Sequence, residues 1–272
     1  MKTTLLITTY NRPDALEAVL TSVEHQIVKP HQVIVADDGS GQETFNIVQK
    51  FQKKWSIPLI HSWHEDNGFR LAESRNRGLS FVENEYLIMI DGDMILHPYF
   101  IQDHIYHAKK GYFLQGGRAL LTEELTKKIL QTPSKYNKFK YFQSGLESRF
   151  EKRLTTFRSI FLSNLWKKET QSLKAIRGCN MSFFYDDIVK VNGFDSNFVG
   201  WGREDSEFVV RLFNIGVKRY NIKYAAIAYH LYHKEESRAS LPENDKILED
   251  SIQFKKTRCE NGLDKFIIKL SQ

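Results

Sequence analysis

The chain has 272 residues, 41% hydrophobic and 26% charged, with a formal net charge of +6. That length buries a sizeable core, as one large α/β domain or two small ones, and the composition is that of a soluble globular protein. No apolar run approaches the ~20 residues that cross a bilayer, and Cys179 and Cys259 are too few for a disulfide framework and fit no metal spacing. Asn11, Arg12 and Pro13 interrupt anything like a signal peptide, so a reducing, cytoplasmic setting is expected.

In chain order, Thr4 to Thr9 reads as a strand. Pro13 sits where a first helical turn tolerates it, and Ala15, Leu16, Val19, Leu20 and Val23 recur at helical spacing. Gln32 to Ala36 is a second strand, followed by a helix through Phe45, Val48 and Phe51. Leu59 to Trp63 is a third strand, Ala72 to Val82 a helix, and Tyr86 to Ile90 a fourth strand. Such alternation predicts an α/β fold, a mostly parallel Rossmann-like sheet with helices on both faces.

Polar residues gather at the carboxyl ends of these strands: Thr8-Thr9-Tyr10-Asn11, Asp37-Asp38-Gly39-Ser40 and Asp91-Gly92-Asp93. Open α/β sheets bind ligands at that edge. One acidic end reads equally well as a turn or a helix cap. Two on one edge favour a hard divalent cation, Mg²⁺ or Mn²⁺, which takes carboxylate oxygens together with substrate phosphates.

From about 124 to 176 the alternation breaks into a mainly helical, basic segment with interleaved aromatics. It reads as a solvated face over a core, or as a surface for an anionic membrane, an anionic glycan or nucleic acid. Beyond it, Phe208, Val209, Leu212, Phe213 and Ile215 mark an amphipathic helix that Gly216 ends. Glu204 and Asp205 stand at its start, where the helix dipole alone would favour acids. Trp201 between Gly200 and Gly202 suits a sugar face. His230 follows a strand-like run, with His233 three residues on; near a carboxylate site an imidazole is a credible metal ligand. The tail "KFIIKL" suits a membrane surface or docking on the domain.

Taken together, "TTYNRPDALEAVLTSV", "VIVADDGS", "GFRLAESRNRGL" and "YLIMIDGDM" resemble the nucleotide-sugar half of inverting family 2 glycosyltransferases of the GT-A fold. "GCNMSF", "NGFDSNFVGWGREDSEFVVRLFNIG" and "AYH" look like the acceptor half of β-1,4-galactosyltransferases. In this order the two halves are most similar to the N-acetylgalactosamine-transferring domain of bacterial chondroitin polymerases. The resemblance covers roughly residues 3–122 and 176–235. It implies a nucleotide-sugar part at 1–122, a helical basic insertion at 123–175, and an acceptor-binding and catalytic part of the same domain at 176–272.

By this resemblance Thr9, Tyr10, Asn11 and Arg12 would line a uridine pocket, with Asp37 reading the base or ribose. Arg70 and Arg75 would approach the base or diphosphate, Asp91 and Gly92 the ribose, and Asp93 and His230 would hold Mn²⁺ or Mg²⁺. Asp205 would be the general base, with Glu204 orienting sugar hydroxyls and Trp201 and Gly202 against the acceptor. The implied reaction moves a hexose or N-acetylhexosamine from a UDP-sugar to a cell-surface glycan such as lipopolysaccharide or capsule. UDP-GalNAc or UDP-Gal are the foremost donors, UDP-GlcNAc or UDP-Glc the others. An anionic membrane surface, on the inner face of the cell membrane, is a candidate partner; nucleic acid is not expected.

Arg203 stands where related enzymes carry Gly, and the basic insertion has no placed counterpart. Two other readings remain open. A sugar-nucleotide-forming nucleotidyltransferase predicts a glycine-rich basic loop after the first strand, which "TTYNRPD" is not. A non-catalytic glycan-binding scaffold would not need the intact acidic set.

Overall fold

The computed structural model describes residues 1–136, 144–146, 156–234 and 237–270. Its first strand, β1 (Thr3–Thr9), is rich in β-branched residues and buried along its whole length. A strand achieves that inside a sheet covered on both faces. Leu5 and Ile7 enter one core, with Leu16, Val19 and Phe51, while Leu6 enters the other, with Met89, Phe208 and Leu212. The alternation follows from the two-residue period of a strand.

The first half contains α1 (Pro13–Glu24), β2 (Gln32–Asp37), α2 (Gln42–Lys54), β3 (Leu59–Trp63), α3 (Leu71–Leu79) and β4 (Tyr86–Asp91). Helix α3 stops three residues before the expected Val82. There Ser80 Oγ bonds the Arg77 carbonyl, and the amides of Phe81 and Val82 reach back only three residues.

There follow β5 (Met94–Leu96), α4 (Phe100–His107), β6 (Tyr112–Gln115), β7 (Arg118–Leu120), α5 (Glu123–Gln131) and a 3-10 turn at Pro133–Tyr136. Next come α6 (Ile160–Trp166), β8 (Lys168–Thr170), β9 (Asn180–Phe184), α7 (Tyr185–Lys190) and α8 (Glu204–Asn214). The chain continues through β10 (Lys218–Asn221), β11 (Ala228–His230), α9 (Leu241–Gln253) and α10 (Asp264–Leu270).

The large sheet has the order β3-β2-β1-β4-β9-β6-β10-β8, with β9 and β8 running against the other strands. The expected mostly parallel α/β sheet is thus observed, and strands from both halves share it. A small sheet, β5-β11-β7, leans on the site edge.

Within the basic insertion, residues 137–143 and 147–155 lie outside the described residues. Its described residues form α5, the 3-10 turn and α6 joined by loops, with a bridge from Leu146 to Leu121, and β8 adds an outermost strand. Of its interleaved aromatics, Phe157, Phe161 and Trp166 face solvent. The start of the tail contacts the domain, with the Arg77 guanidinium 5.0 Å from the Phe266 ring just after the fully buried Leu263. Among the described residues no helix is long and apolar enough to cross a membrane.

Candidate active site

Asp91 closes β4, and Asp93 leads into β5. Between them Gly92 passes so close to β1 that a Cβ there would lie 2.5 Å from the Thr8 carbonyl oxygen. Pairing of β11 with β5 sets His230 opposite Met94, and the Leu231 amide donates to the Asp93 carbonyl at 2.9 Å. His230 Nε2 thereby comes to 3.4 Å and His233 Nε2 to 3.2 Å from Asp93 Oδ2. Ligand atoms of all three residues lie within 4.8 Å of one another.

The electrostatics of this corner suit a cation. Asp93 Oδ1 is buried without a hydrogen-bond partner, a costly condition for a carboxylate oxygen. Burial pushes the Asp93 carboxyl up, against the pull of His233, Arg12 and Arg118. Burial, and then the Arg118 charge, push His230 down to about 3, so its imidazole is neutral near pH ~7 and its ring nitrogen is open to a metal. One carboxylate and two imidazoles make a donor set that fits Mn²⁺.

A second cluster forms around Arg75, a fully buried side chain of α3. Its Nη1 lies 2.8 Å from Asp205 Oδ1 and 3.5 Å from Glu204 Oε1, and its Nη2 lies 3.5 Å from Asp91 Oδ1. The guanidinium also sits over the Phe194 ring at 4.9 Å. Glu204 and Asp205 begin α8, and the Gly178 amide donates to Asp205 Oδ2 at 2.6 Å. A Cβ on Gly178 would fall 2.3 Å from Asp205 Oδ1, so this approach requires glycine. Burial first, and the Asp205 charge second, push Glu204 up to about 7, with Arg75 opposing. Burial likewise raises Asp91, again against Arg75.

Helix α8 is held from behind by Arg211, which forms a buried ion pair with Glu207 at 2.7 Å and bonds the Val191 and Gly193 carbonyls. Its entrance is Arg203, in the left-handed region at φ 77. That conformation favours the glycine of related enzymes. The Arg203 head group turns to Asp245 of α9.

The loop after β1 carries Thr9, Tyr10, Asn11 and Arg12. Tyr10 donates to Asp66 Oδ2 at 2.9 Å, and Asn11 ties this loop to the end of β2 through Ser40 and Gly41. Arg12 Nη1 lies 4.0 Å from Asp93 Oδ2. Trp201 is 41% exposed, between Gly200 and Gly202, with the Arg238 guanidinium 5.5 Å from its ring.

Three further residues of the expected donor side have protein partners of their own. Asp37 has no exposed surface, and its oxygens are engaged by His61 Nε2 and the Ser40 amide, both at 2.8 Å. Arg75 has its charge among the three carboxylates Asp91, Glu204 and Asp205. Arg70 is half-buried, with its amide bound to Asp38 Oδ2 at 2.8 Å.

Sequence reasoning missed Arg118, whose Nη1 lies 3.8 Å from Cys179 Sγ and whose charge acts on Asp93 and His230. It follows Gly116-Gly117 with no motif to mark it. His233 was left without a role; the three-residue spacing from His230 was its available signal.

Comparison with known proteins identifies the family and the fold. The pattern for glycosyl transferase family 2 matches residues 4–165, and that for the N-terminal domain of galactosyltransferase matches residues 162–234. The chondroitin synthase of Escherichia coli is 26% identical over 238 residues, covering 83% of this chain and 34% of that protein. The chondroitin synthase of Pasteurella multocida is 29% identical over 245 residues, 83% of this chain and 24% of that protein. The chain therefore spans a quarter to a third of the length of these relatives.

Among solved structures, S. aureus TarS 1-349 in complex with UDP-GlcNAc superposes with a TM-score of 0.63 at 16% identity, covering 100% of this chain and 72% of that one. The mannosyltransferase PcManGT of Pyrobaculum calidifontis, with GDP-Man and Mn²⁺, gives 0.57 at 15% identity, covering 86% and 58%. These likenesses establish the shared fold. Because the family pattern spans more than half of the chain, from β1 into α6, the chain belongs to glycosyl transferase family 2.

Proposed function

We propose that this glycosyltransferase moves a hexose or N-acetylhexosamine from a UDP-sugar to a glycan hydroxyl, with inversion, using a divalent cation held by Asp93, His230 and His233. The observation that carries this reading is the buried, unpartnered Asp93 Oδ1 beside two imidazoles. Manganese and a nucleotide sugar in the PcManGT complex, and UDP-GlcNAc in the TarS complex, support the same pairing.

When bound, the cation supplies Lewis-acid neutralisation of the diphosphate charge. Thr9, Tyr10, Asn11 and Arg12 form the wall on the nucleotide side, and Arg12 and Arg118 add fixed positive charge near the phosphates. Asp91, at the end of β4, faces the ribose. Arg75 and Gly178 hold the Asp205 carboxylate by both oxygens, which fixes its orientation before substrate arrives. Asp205 takes the proton of the attacking hydroxyl, while Glu204 orients the sugar hydroxyls beside it. Trp201 offers its exposed ring to the acceptor.

The acceptor class most consistent with the chondroitin and hyaluronan synthase relatives is a cell-surface polysaccharide or glycolipid glycan. The test is release of UDP from a panel of UDP-sugars with Mn²⁺, then with excess EDTA. One donor should stand out and EDTA should abolish its turnover; undiminished turnover in EDTA would overturn the metal assignment.

A further inference from the structure

We propose that the face formed by α6 and the outer strands β8 and β10 is a docking surface for a membrane leaflet carrying anionic phospholipid headgroups. Helix α6 turns Ser163 inward, where its Oγ meets His107 Nε2 at 2.9 Å, and Asn164 reaches the Tyr106 hydroxyl at 3.1 Å. This orientation forces Phe161, Leu165 and Trp166 outward, 72%, 65% and 55% exposed, with Tyr106 56% exposed beside them. Large apolar side chains grouped on one surface mark a place of contact with something apolar.

Lysines ring this group, and aromatic rings carry them. Lys223 Nζ lies 5.6 Å from the Trp166 ring, and Lys167 Nζ lies 4.6 Å from Tyr220. Tyr220 stacks on Tyr112 at 4.1 Å, and Lys109 Nζ lies 4.7 Å from Tyr112. Glu169, the acid within the strip, pairs with Lys218 at 2.6 Å.

Trp and Tyr rings beside lysines match the interface between headgroups and acyl chains, where the rings lie at headgroup level and the ammonium groups meet phosphate. Phe161 and Leu165 reach deeper, as the apolar side of an interfacial helix does. Charge complementarity therefore selects an anionic leaflet over a neutral one.

The placement suits a surface-confined acceptor. Ile90 pairs with Asn180, Met181 with Gln115, and Gln115 with Asn221. This row runs along one edge of the sheet and continues to Lys168, the partner of Asn221, so Lys223, just past Asn221, and Trp166, just before Lys168, lie on the same edge as Asp91. Docking itself does not depend on the transferase reading.

Sedimentation of the full chain with vesicles tests the proposal. Protein should pellet with phosphatidylcholine–phosphatidylglycerol vesicles at low salt, release at high salt, and stay in solution with phosphatidylcholine alone. Phe161→Ser with Leu165→Ser should lower partition at least about tenfold. Lys167→Ser and Lys223→Ser should each lower it about fivefold; as exposed charges they keep the test decisive if the helix variant does not fold. Wild-type protein remaining in solution with anionic vesicles at low salt, or variants that pellet like wild type, would overturn the proposal. So would a dimer in sedimentation velocity that these substitutions abolish without vesicle binding, which would assign the face to a second copy.

Discussion

Asp93 and Asp205 are carboxylates within one active-site edge, yet their surroundings are opposite. Asp205 has a cation built in: Arg75 and the Gly178 amide engage both of its oxygens. Asp93 has one oxygen buried without a partner, beside an imidazole that burial keeps neutral. In the proposed mechanism the satisfied carboxylate is the one fixed in place for proton transfer, and the unsatisfied one is matched to a ligand that arrives with its own charge. The composition of the two clusters would not separate them; the partners do.

The largest effect should come from the unsatisfied side. Asp93→Ala and His230→Ala should each lower UDP-sugar turnover by about 10³-fold, since several kcal/mol of charge stabilisation at the leaving group is lost. Both variants should melt as cooperatively as wild type. Full turnover in either would erase the contrast.

On the satisfied side, Asp205→Asn keeps shape but accepts no proton, so transfer should fall at least ~10²-fold while UDP affinity is unchanged. Gly178→Ala should act in the same direction, because the added methyl meets Asp205 and Arg75. Weakened UDP binding in Asp205→Asn would place that residue on the donor side instead.

Glu204 sharpens the comparison through pH. It holds its proton until about 7; above that the pair carries a second negative charge, which strengthens the pull on the acceptor proton. Wild-type kcat/KM should therefore rise through that pH, and Glu204→Gln should flatten the step. The same raised ionisation means that Glu204 favours folding at acid pH and loses that advantage as pH climbs through about 7. Thermal melts of Glu204→Gln should lack that decline. The smallest effect belongs to Arg203→Gly, which relieves a left-handed backbone and loses an exposed ion pair with Asp245. Its stability should stay within about 1 kcal/mol of wild type.

The β1 to β4 half was legible because period and punctuation agree there; β3 has the bounds read from Leu59 to Trp63. Asp91, Asp93 and His230 were legible as polar residues at strand ends. The pairing of Arg75 with Asp205 was not legible in the sequence, since the two stand 130 positions apart and only the folded sheet brings them together. At Asp37 the local sequence does not separate a carboxylate that holds a turn from one that meets a ligand; the structure shows the turn, through the Ser40 amide and His61. The short edge strand β8, "KET", has too few residues to show alternation.

The most direct test of the central claim is calorimetric titration of UDP into wild-type protein, with Mn²⁺ and after chelation, repeated with His230→Ala. The account predicts binding with Mn²⁺, at least about tenfold weaker binding after chelation, and no Mn²⁺ dependence in His230→Ala. Equal UDP affinity of the wild-type protein with Mn²⁺ and with chelator would contradict it.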